Sequence, residues 1–489
     1  MSRYRFVEIC AGAGGQSLGL ELAGFDHELS VELDPDACAT LRYNRPHWKV
    51  AVGDVASLGV WNPAEYAGAD LLAGGVPCPP FTVAGKQLGA TDERDLFAWA
   101  VELCGVVRPR ALLLENVRGL SLPRFAAYRQ HVLDRLAGLG YVADWRLLHA
   151  SDFGVPQLRP RFVLVAMRPE DFAYFAWPEP SGQPATVGET LLDLMAANRW
   201  RGAAAWAKKA GGIAPTIVGG SKKHGGPDLG PTRAKRAWRE MGVDALGLAD
   251  AAPSRDDPVT LLPKLTCEMV ARLQGWDGGE YLWTFTGRKT ASYRQIGNAF
   301  PPPVARAIGE RIRRALDHAG QARHLVEQTR VTQDPVYAIL RDDGGFLTME
   351  QILRRLDTPM EVPAFERHLN HLKRDFHIEV QTRKTGSAYK LGLFKAFTGQ
   401  DDHLRHVAFL NPGKISSPLP RTDRAGAGAD DLRRPLCGQP ATVGRAGPRR
   451  SRARSGRPSR SWRRSRWWSR NRPRGPPTSG CPPGRRPTW

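Results

Sequence analysis

No run in this 489-residue chain approaches the ~18–20 consecutive apolar residues that a membrane span needs. The opening "MSRYRFVEICAGAGG" also lacks the apolar core and cleavage site of a secretory signal, so a cytoplasmic protein with no membrane partner is expected. Cysteine is sparse. The seven residues, at positions 10, 38, 78, 104, 267, 437 and 481, form no CxxC pair, which argues against a disulfide framework or a zinc site, and no metal is expected. Lysine is missing from residues 421–489, where 19 arginines and three aspartates give a net charge of +16. The whole chain carries +21, which leaves only +5 for the other 420 residues. The charge that would seek a polyanion therefore belongs to the tail and assigns nothing to the body.

What is present is alternation. The length admits roughly two to four domains at ~100–200 residues each. Apolar strand-like segments occur at 4–9 ("YRFVEI"), 27–33, 51–55, 69–75, 110–117, 142–150 and 161–167. Between several of them lie helical patterns: "QSLGLELAGF" ending at Gly24, "DLFAWAVELCGVV" at 95–107 and "YRQHVLDRLAGLGY" at 128–141. Strands alternating with helices predict an α/β fold with a doubly wound parallel sheet. Periodicity weakens across 171–262, where glycine, proline and lysine cluster, and a loop-rich module is expected there. Order returns at 264–276, helical from about Cys267, and at 293–316, a loop followed by a long helix. Residues 332–395 read as three short helices and a β-hairpin near Thr385 and Gly386, the pattern of a winged helix-turn-helix. Residues 411–489, rich in Arg, Pro, Ser and Gly, are expected to be disordered. Arginine without lysine fits a basic tail and equally an out-of-frame reading of GC-rich DNA.

Four places carry chemistry. The first is the strand–"AGAGG"–helix start at 11–15, whose glycines let the backbone turn tightly and approach a ligand. Glu32 follows Gly15 by 17 residues at the end of the next strand, where a carboxylate meets ribose hydroxyls, and Asp54 ends the third strand. The pattern implies an adenosine-containing cofactor. The second is "GGVPCPPFTVAGKQLG" at 74–89, which puts Cys78 among three prolines just past a strand end. A packed core thiol needs no such stiff loop, whereas a nucleophile held in position does. The third is Glu115, ending the apolar run "LLLENV", where partial desolvation would keep a proton on it near neutrality. The fourth is "PQLRPRF" at 156–162, whose alternating Arg159 and Arg161 share one side of an extended segment.

Nine segments occur together and in order: "AGAGG", "VELDP", "GDV", "PCPPF", "DLF", "ENV", "QLRPR", "KLTCEMVARLQGW" and "YRQIGNAFPPPVA". Over residues 5–316 the chain thereby resembles the DNA (cytosine-5) methyltransferases. The resemblance implies a Rossmann-like S-adenosylmethionine-dependent domain formed by residues 1–170 and 263–320, with a target-recognition region at 171–262. It also implies that Cys78 attacks C6 of a flipped cytosine, that Glu115 holds N3 and the exocyclic amine, and that Arg161, supported by Arg159, orients the base and loop. The cofactor would lie against Cys10, Ala11, Gly12, Gly14 and Gly15, with Glu32 on ribose beside Leu33. Asp54 and Val55 would meet the adenine, Pro77 and Leu96 would flank it, and Asn298 would close the site. Lys222, Lys223, His224, Arg233, Lys235 and Arg236 would contact duplex DNA. A restriction endonuclease acting separately is a candidate partner, and a monomer is expected.

Three positions depart from the family pattern: Cys10 replaces an aromatic, Leu33 a tryptophan, and Pro79 a glutamine. None is a presumed catalytic residue. Rival readings are an RNA cytosine-5 methyltransferase, a dinucleotide-dependent oxidoreductase and a non-enzymatic DNA-binding regulator. The substantial module between the arginine pair and "KLTCEMVARLQGW" favours duplex DNA. An oxidoreductase would not need Cys78, Glu115 and the arginines together.

Overall fold

The structure, a computed structural model, describes residues 4–76, 94–220, 227–325, 334–383 and 386–395. Pro77, Cys78, Lys222, Lys223, His224 and the tail at 411–489 lie outside the described residues.

Seven strands make the central sheet: β1 (Tyr4–Ile9), β2 (Phe25–Glu32), β3 (Val50–Val52), β4 (Leu71–Gly74), β5 (Ala111–Val117), β6 (Val142–His149) and β7 (Pro160–Met167). Their order is β3-β2-β1-β4-β5-β7-β6. The chain steps outward from β1 to β3 on one side, then returns to lay β4 on the other side of β1. Ile9 therefore pairs with Gly74 at the point where the winding reverses. Ligands bind at such switch points, beyond the carboxyl ends of the strands. The sheet is not wholly parallel, as the sequence led us to expect: β7 runs antiparallel to both β5 and β6. Residues 150–159 hold only a single turn of 3₁₀ helix, too little for a crossover, so the chain must double back.

Both faces of the sheet are apolar, and the strands show it residue by residue. Phe162, Leu164 and Ala166 enter one core while Val163, Val165 and Met167 enter the other. The first face is covered by α3 (Arg94–Glu102), α4 (Cys104–Val107) and α5 (Ala126–Gly138). Expected as one helix, residues 95–107 break at Leu103 into α3 and α4. The second face is covered by α1 (Gly15–Leu22) and α12 (Pro302–Leu316). Between them in sequence come α2 (Pro35–Asn44), capped by Asp34, and the single turn α6 (Pro169–Phe172).

The region expected to be loop-rich contains α7 (Val187–Ala196), α8 (Ala203–Lys209) and α9 (Thr232–Glu240). They are short helices separated by glycine and proline, so no long period forms. Thr186 and Glu189 cap each other's backbone at the start of α7. With α10 (Cys267–Leu273) and α11 (Lys289–Asn298) they enclose a core rich in tryptophan, including Trp200, Trp206, Trp238, Trp276 and Trp283. The segment from Tyr293 to Asn298, expected as loop, is the second half of α11.

The last described segment runs α13 (Pro335–Asp343), β8 (Leu347–Thr348), α14 (Met349–Arg354), α15 (Val362–Asp375), β9 (Phe376–Arg383) and β10 (Gly386–Phe394). Its three strands form an antiparallel sheet in the order β8-β10-β9.

The closing of the chain onto its own start is tight, and Gly19 shows it between the two helices. A Cβ on Gly19 of α1 would lie 2.5 Å from the Pro302 carbonyl oxygen and 2.5 Å from the Ala305 Cβ on α12. Gly19→Val is expected to cost about 1–3 kcal/mol through overpacking. A thermal melt reads this as a lowered midpoint, and an unchanged midpoint would show that the two helices part freely.

Candidate active site

Beyond the ends of β1 and β4 lies a cavity of about 290 Å³. Its floor is the glycine-rich turn. Cys10 and Gly12 take left-handed backbone conformations, with φ of 52° and 56°. For Cys10, which lines the cavity, this is uncommon. Gly15 is required by close approach, because a Cβ there would meet the Phe300 carbonyl oxygen at 2.2 Å. Gly14, expected beside the cofactor, does not line the cavity: its α-carbon packs against Leu41 and Trp283 instead.

Glu32 closes the turn electrostatically. Its two oxygens accept the Gly12 and Asp34 backbone N–H groups at 2.8 and 2.7 Å. Burial raises its pKa, and these backbone bonds oppose the rise. Ala11, Leu33, Asp54, Val55, Leu96 and Asn298 also line the cavity, so every described residue of the expected cofactor set except Gly14 does so. Leu33, a departure from the tryptophan found in some family members, is 67% exposed where it lines the cavity.

Among the lining residues outside the expected set, two polar ones stand out as missed by sequence reasoning, Glu8 and Gln16. Glu8 is buried, and burial pushes its carboxyl up to about 8, against the hydroxyl bond donated by Ser17 and aided by the charge of Glu32. Gln16 is 3% exposed, and among the described residues neither its amide nitrogen nor its oxygen has a partner. A buried amide with nothing to bond is costly unless a ligand satisfies it. Their places on either side of the "AGAGG" turn, Glu8 on β1 and Gln16 at the start of α1, were the available signal.

On the β5 side the cavity wall is Glu115 itself. Its carboxylate meets Arg161 of β7 at 2.5 Å, with both side chains about one-tenth exposed. Burial drives the Glu115 pKa upward, and Arg161 and then Arg159 pull against it. The neighbouring Asn116 donates to the Val76 carbonyl oxygen at 3.3 Å. It thus anchors the β4 loop two residues before Cys78.

Arg159 is wholly buried and is spent on backbone. It donates to the carbonyls of Ile217, Gly297 and Ala299 at 2.7, 2.9 and 2.8 Å. Gln157, two residues earlier and also buried, accepts the Ile217 N–H at 2.9 Å and donates to the Leu273 carbonyl at 3.1 Å. Gln157, Arg159 and Arg161 thus share one side of the extended strand entry, while Leu158 is half exposed. Beside this clamp the backbones of Gly219 and Gly297 touch, since a Cβ on Gly297 would lie 2.5 Å from the Gly219 nitrogen. Asn298 is bracketed by the clamp and donates to the Gly220 carbonyl at 3.3 Å.

Of the expected DNA contacts, Arg233 and Arg236 are exposed on α9, whose Trp238 is buried on the opposite side. Lys235 is instead half-buried and paired with Asp228 at 2.7 Å. Arg239, one turn beyond Arg236, adds a third exposed arginine that the sequence reading did not select.

The Glu8 carboxyl gives a pH test. The folded chain keeps a proton that the unfolded chain releases between about pH 4.5 and about pH 8. Stability without ligand must therefore fall as pH rises through that window. Glu8→Gln is expected to remove part of this slope, so the mutant's melting midpoint gains on the wild type's between pH 6 and pH 8. Parallel curves would show that Glu8 is ionised throughout.

A family model for C-5 cytosine-specific DNA methylases matches residues 4–314. The Type II methyltransferase M.NaeI of Lentzea aerocolonigenes is 63% identical over 410 residues, 84% of this chain and 98% of that protein. The Type II methyltransferase M.NgoMIV of Neisseria gonorrhoeae is 51% identical over 318 residues, 64% of this chain and 98% of that one. Among solved structures, a DNA modification methyltransferase from an E. coli prophage aligns over 64% of this chain and 99% of its own, at 21% identity and a TM-score of 0.43. Among the described residues no helix is long and apolar enough to cross a membrane. The sheet with its switch-point cavity and the family match over most of the folded body make this chain a DNA cytosine-5 methyltransferase, a member of the C-5 cytosine-specific DNA methylase family.

Proposed function

We propose that the enzyme transfers a methyl group from S-adenosylmethionine to C5 of a cytosine flipped out of one short duplex DNA sequence. It would serve as the modification half of a Type II restriction–modification system, the class named for its relatives. The observation that carries this reading is the double role of Glu115. It belongs both to the cofactor cavity wall and to the buried pair with Arg161, so donor and base sites adjoin.

The residues of the cavity suit the cofactor. The unpaired Gln16 amide and the Glu8 carboxyl fit a zwitterionic amino-acid end. Glu32 retains free lone pairs for ribose hydroxyls, and Asp54 with Leu33, Val55 and Leu96 offers polar and apolar contacts for an adenine. S-adenosylmethionine supplies an electrophilic methyl carbon on a sulfonium.

The chain supplies the rest. The Cys78 thiolate forms a bond to C6, and the C5–C6 π electrons move to C5. Glu115, held by Arg161, bonds N3 and the exocyclic amine and so offsets charge on the ring. C5 would take the methyl as the sulfonium carbon–sulfur bond breaks and its electron pair stays on the departing thioether; loss of the C5 proton to water and departure of the Cys78 sulfur as thiolate would then restore the aromatic ring. Flipping the base costs a few kcal/mol, which DNA contacts must offset. Arg233, Arg236 and Arg239, exposed along α9, together with Lys222, Lys223 and His224, are the candidates in the recognition region. Residues 332–395 we read as a winged helix appended to the enzyme, with its hairpin as the wing.

Bisulfite sequencing of DNA from a host without other cytosine methylation, expressing this chain, should show protected cytosines in one sequence context. Folded protein with bound cofactor and no protected cytosine would refute the reading. Cys78→Ser should abolish protection. Glu115→Gln should slow methyl transfer by at least ~10²-fold with cofactor affinity retained. A rate near wild type would remove Glu115 from the chemistry.

A further inference from the structure

The segment from α13 to β10 lies past residue 314, where the family match ends, so the shared methyl-transfer fold does not account for it. It is nevertheless built onto the catalytic domain at a particular place. Asp134 of α5 receives Arg341 at 2.6 Å and the Tyr337 hydroxyl at 3.1 Å. His131 of α5 meets Phe376 edge-on at 5.4 Å and lies 4.7 Å from Phe394, and Ala127 enters the appended module's own core. These contacts combine a half-buried ion pair with aromatic packing, so the module is seated, not tethered.

The seat faces the catalytic edge. The chain leaves β5 at Val117, two residues past Glu115, turns through residues 118–125 beyond the sheet's carboxyl edge, and starts α5 at Ala126. α15 packs on the turn at 123–125 and on α5. One side of α15, with Phe365, Leu369 and Leu372, is buried in the module core. Its free side exposes Glu366, Arg367, Asn370, Lys373 and Arg374. Among the described residues, Arg367, Lys373 and Arg374 have no acidic partner; Glu366 is the one exposed acid of the helix, while Asp334 pairs with His368 at 2.9 Å and Asp375 is 4% exposed. Arg124 lies on the same border, its guanidinium 4.5 Å from the Phe125 ring. Burial lowers His371, and the charges of Arg374, of His368 and, across the border, of Arg124 lower it further against Asp334. Arg118, exposed three residues after Glu115, continues the basic band toward the active site.

We propose that α15 and the 118–125 turn form an accessory surface for the phosphate backbone of duplex DNA flanking the target site. It rests on the DNA-methylating activity. Because α15 is partly covered by α5 and the turn, it lies along the duplex instead of entering a groove, so its contacts carry charge and not base sequence. Three unpaired bases against one exposed acid fit that partner. The contribution must appear as length dependence and salt dependence of binding.

The test uses the full chain and its R367A/K373A/R374A variant. Fluorescence anisotropy would measure binding to a duplex of about 14 bp centred on the methylated cytosine and to one of about 40 bp with the same centre. The wild type should prefer the longer duplex. The variant should lose most of that preference, about 10-fold at 0.1 M salt, and its log–log salt slope on the longer duplex should fall by about 2–3. Its melting midpoint, cofactor affinity and binding to the short duplex should match wild type. Undiminished affinity and slope on the longer duplex would overturn the proposal, as would an equal loss on both duplexes. Bisulfite readout of the wild type in the same preparation tests the methylating activity separately.

Discussion

The Arg159 guanidinium donates to three backbone carbonyls, one from the recognition region at Ile217 and two from the returning segment at Gly297 and Ala299. Those segments lie 58 to 140 residues away in sequence, and nothing in regular secondary structure would bring them together. A carbonyl oxygen buried without a donor costs about 1–3 kcal/mol, so a donor fork that satisfies three of them at once fixes the relative place of each. The contact of Gly219 with Gly297 lies beside this clamp and leaves no space for a Cβ on either residue. Asn298, between the clamped carbonyls, is thereby delivered to the cavity.

Two residues further on, Arg161 serves a different need. Its partner Glu115 is buried at the strand end, where a lone carboxylate would simply keep a proton. The two arginines draw its affinity for protons back down while burial pushes it up. The outcome is a carboxyl at the border of the cofactor cavity whose proton affinity is raised by burial and tempered by two guanidinium groups. Alternation along one extended segment thus assigns Gln157 and Arg159 to architecture and Arg161 to the site.

The strands were legible because both faces of the sheet are apolar, which leaves short continuous runs bounded by glycine and proline. Strand direction was not legible: hydropathy is the same for a parallel and an antiparallel strand, and only the missing crossover helix before β7 decides it. α7 was hidden by its shortness, although Thr186 and Glu189 three residues apart before Leu191 were a usable cap signal. The glycine turn identified the cofactor region, yet Gly14 serves packing against Leu41 and Trp283, a long-range fact that spacing does not contain. Glu8 and Gln16 escaped notice for the converse reason. An acid inside a strand and an amide at a helix start look ordinary until their burial beside a cavity is known.

The account makes Arg159 the clamp on which both halves of the site depend, not a group acting on the base. Replacing it with methionine keeps most of its length and removes its five donors. Arg159→Met should lower the melting midpoint and weaken cofactor and DNA binding together, because Asn298 and the 217–220 segment lose their common anchor. Calorimetric titration with S-adenosylmethionine, run beside a melt, is the direct measurement. A variant that melts and binds cofactor like wild type while losing only the rate of methyl transfer would contradict the account.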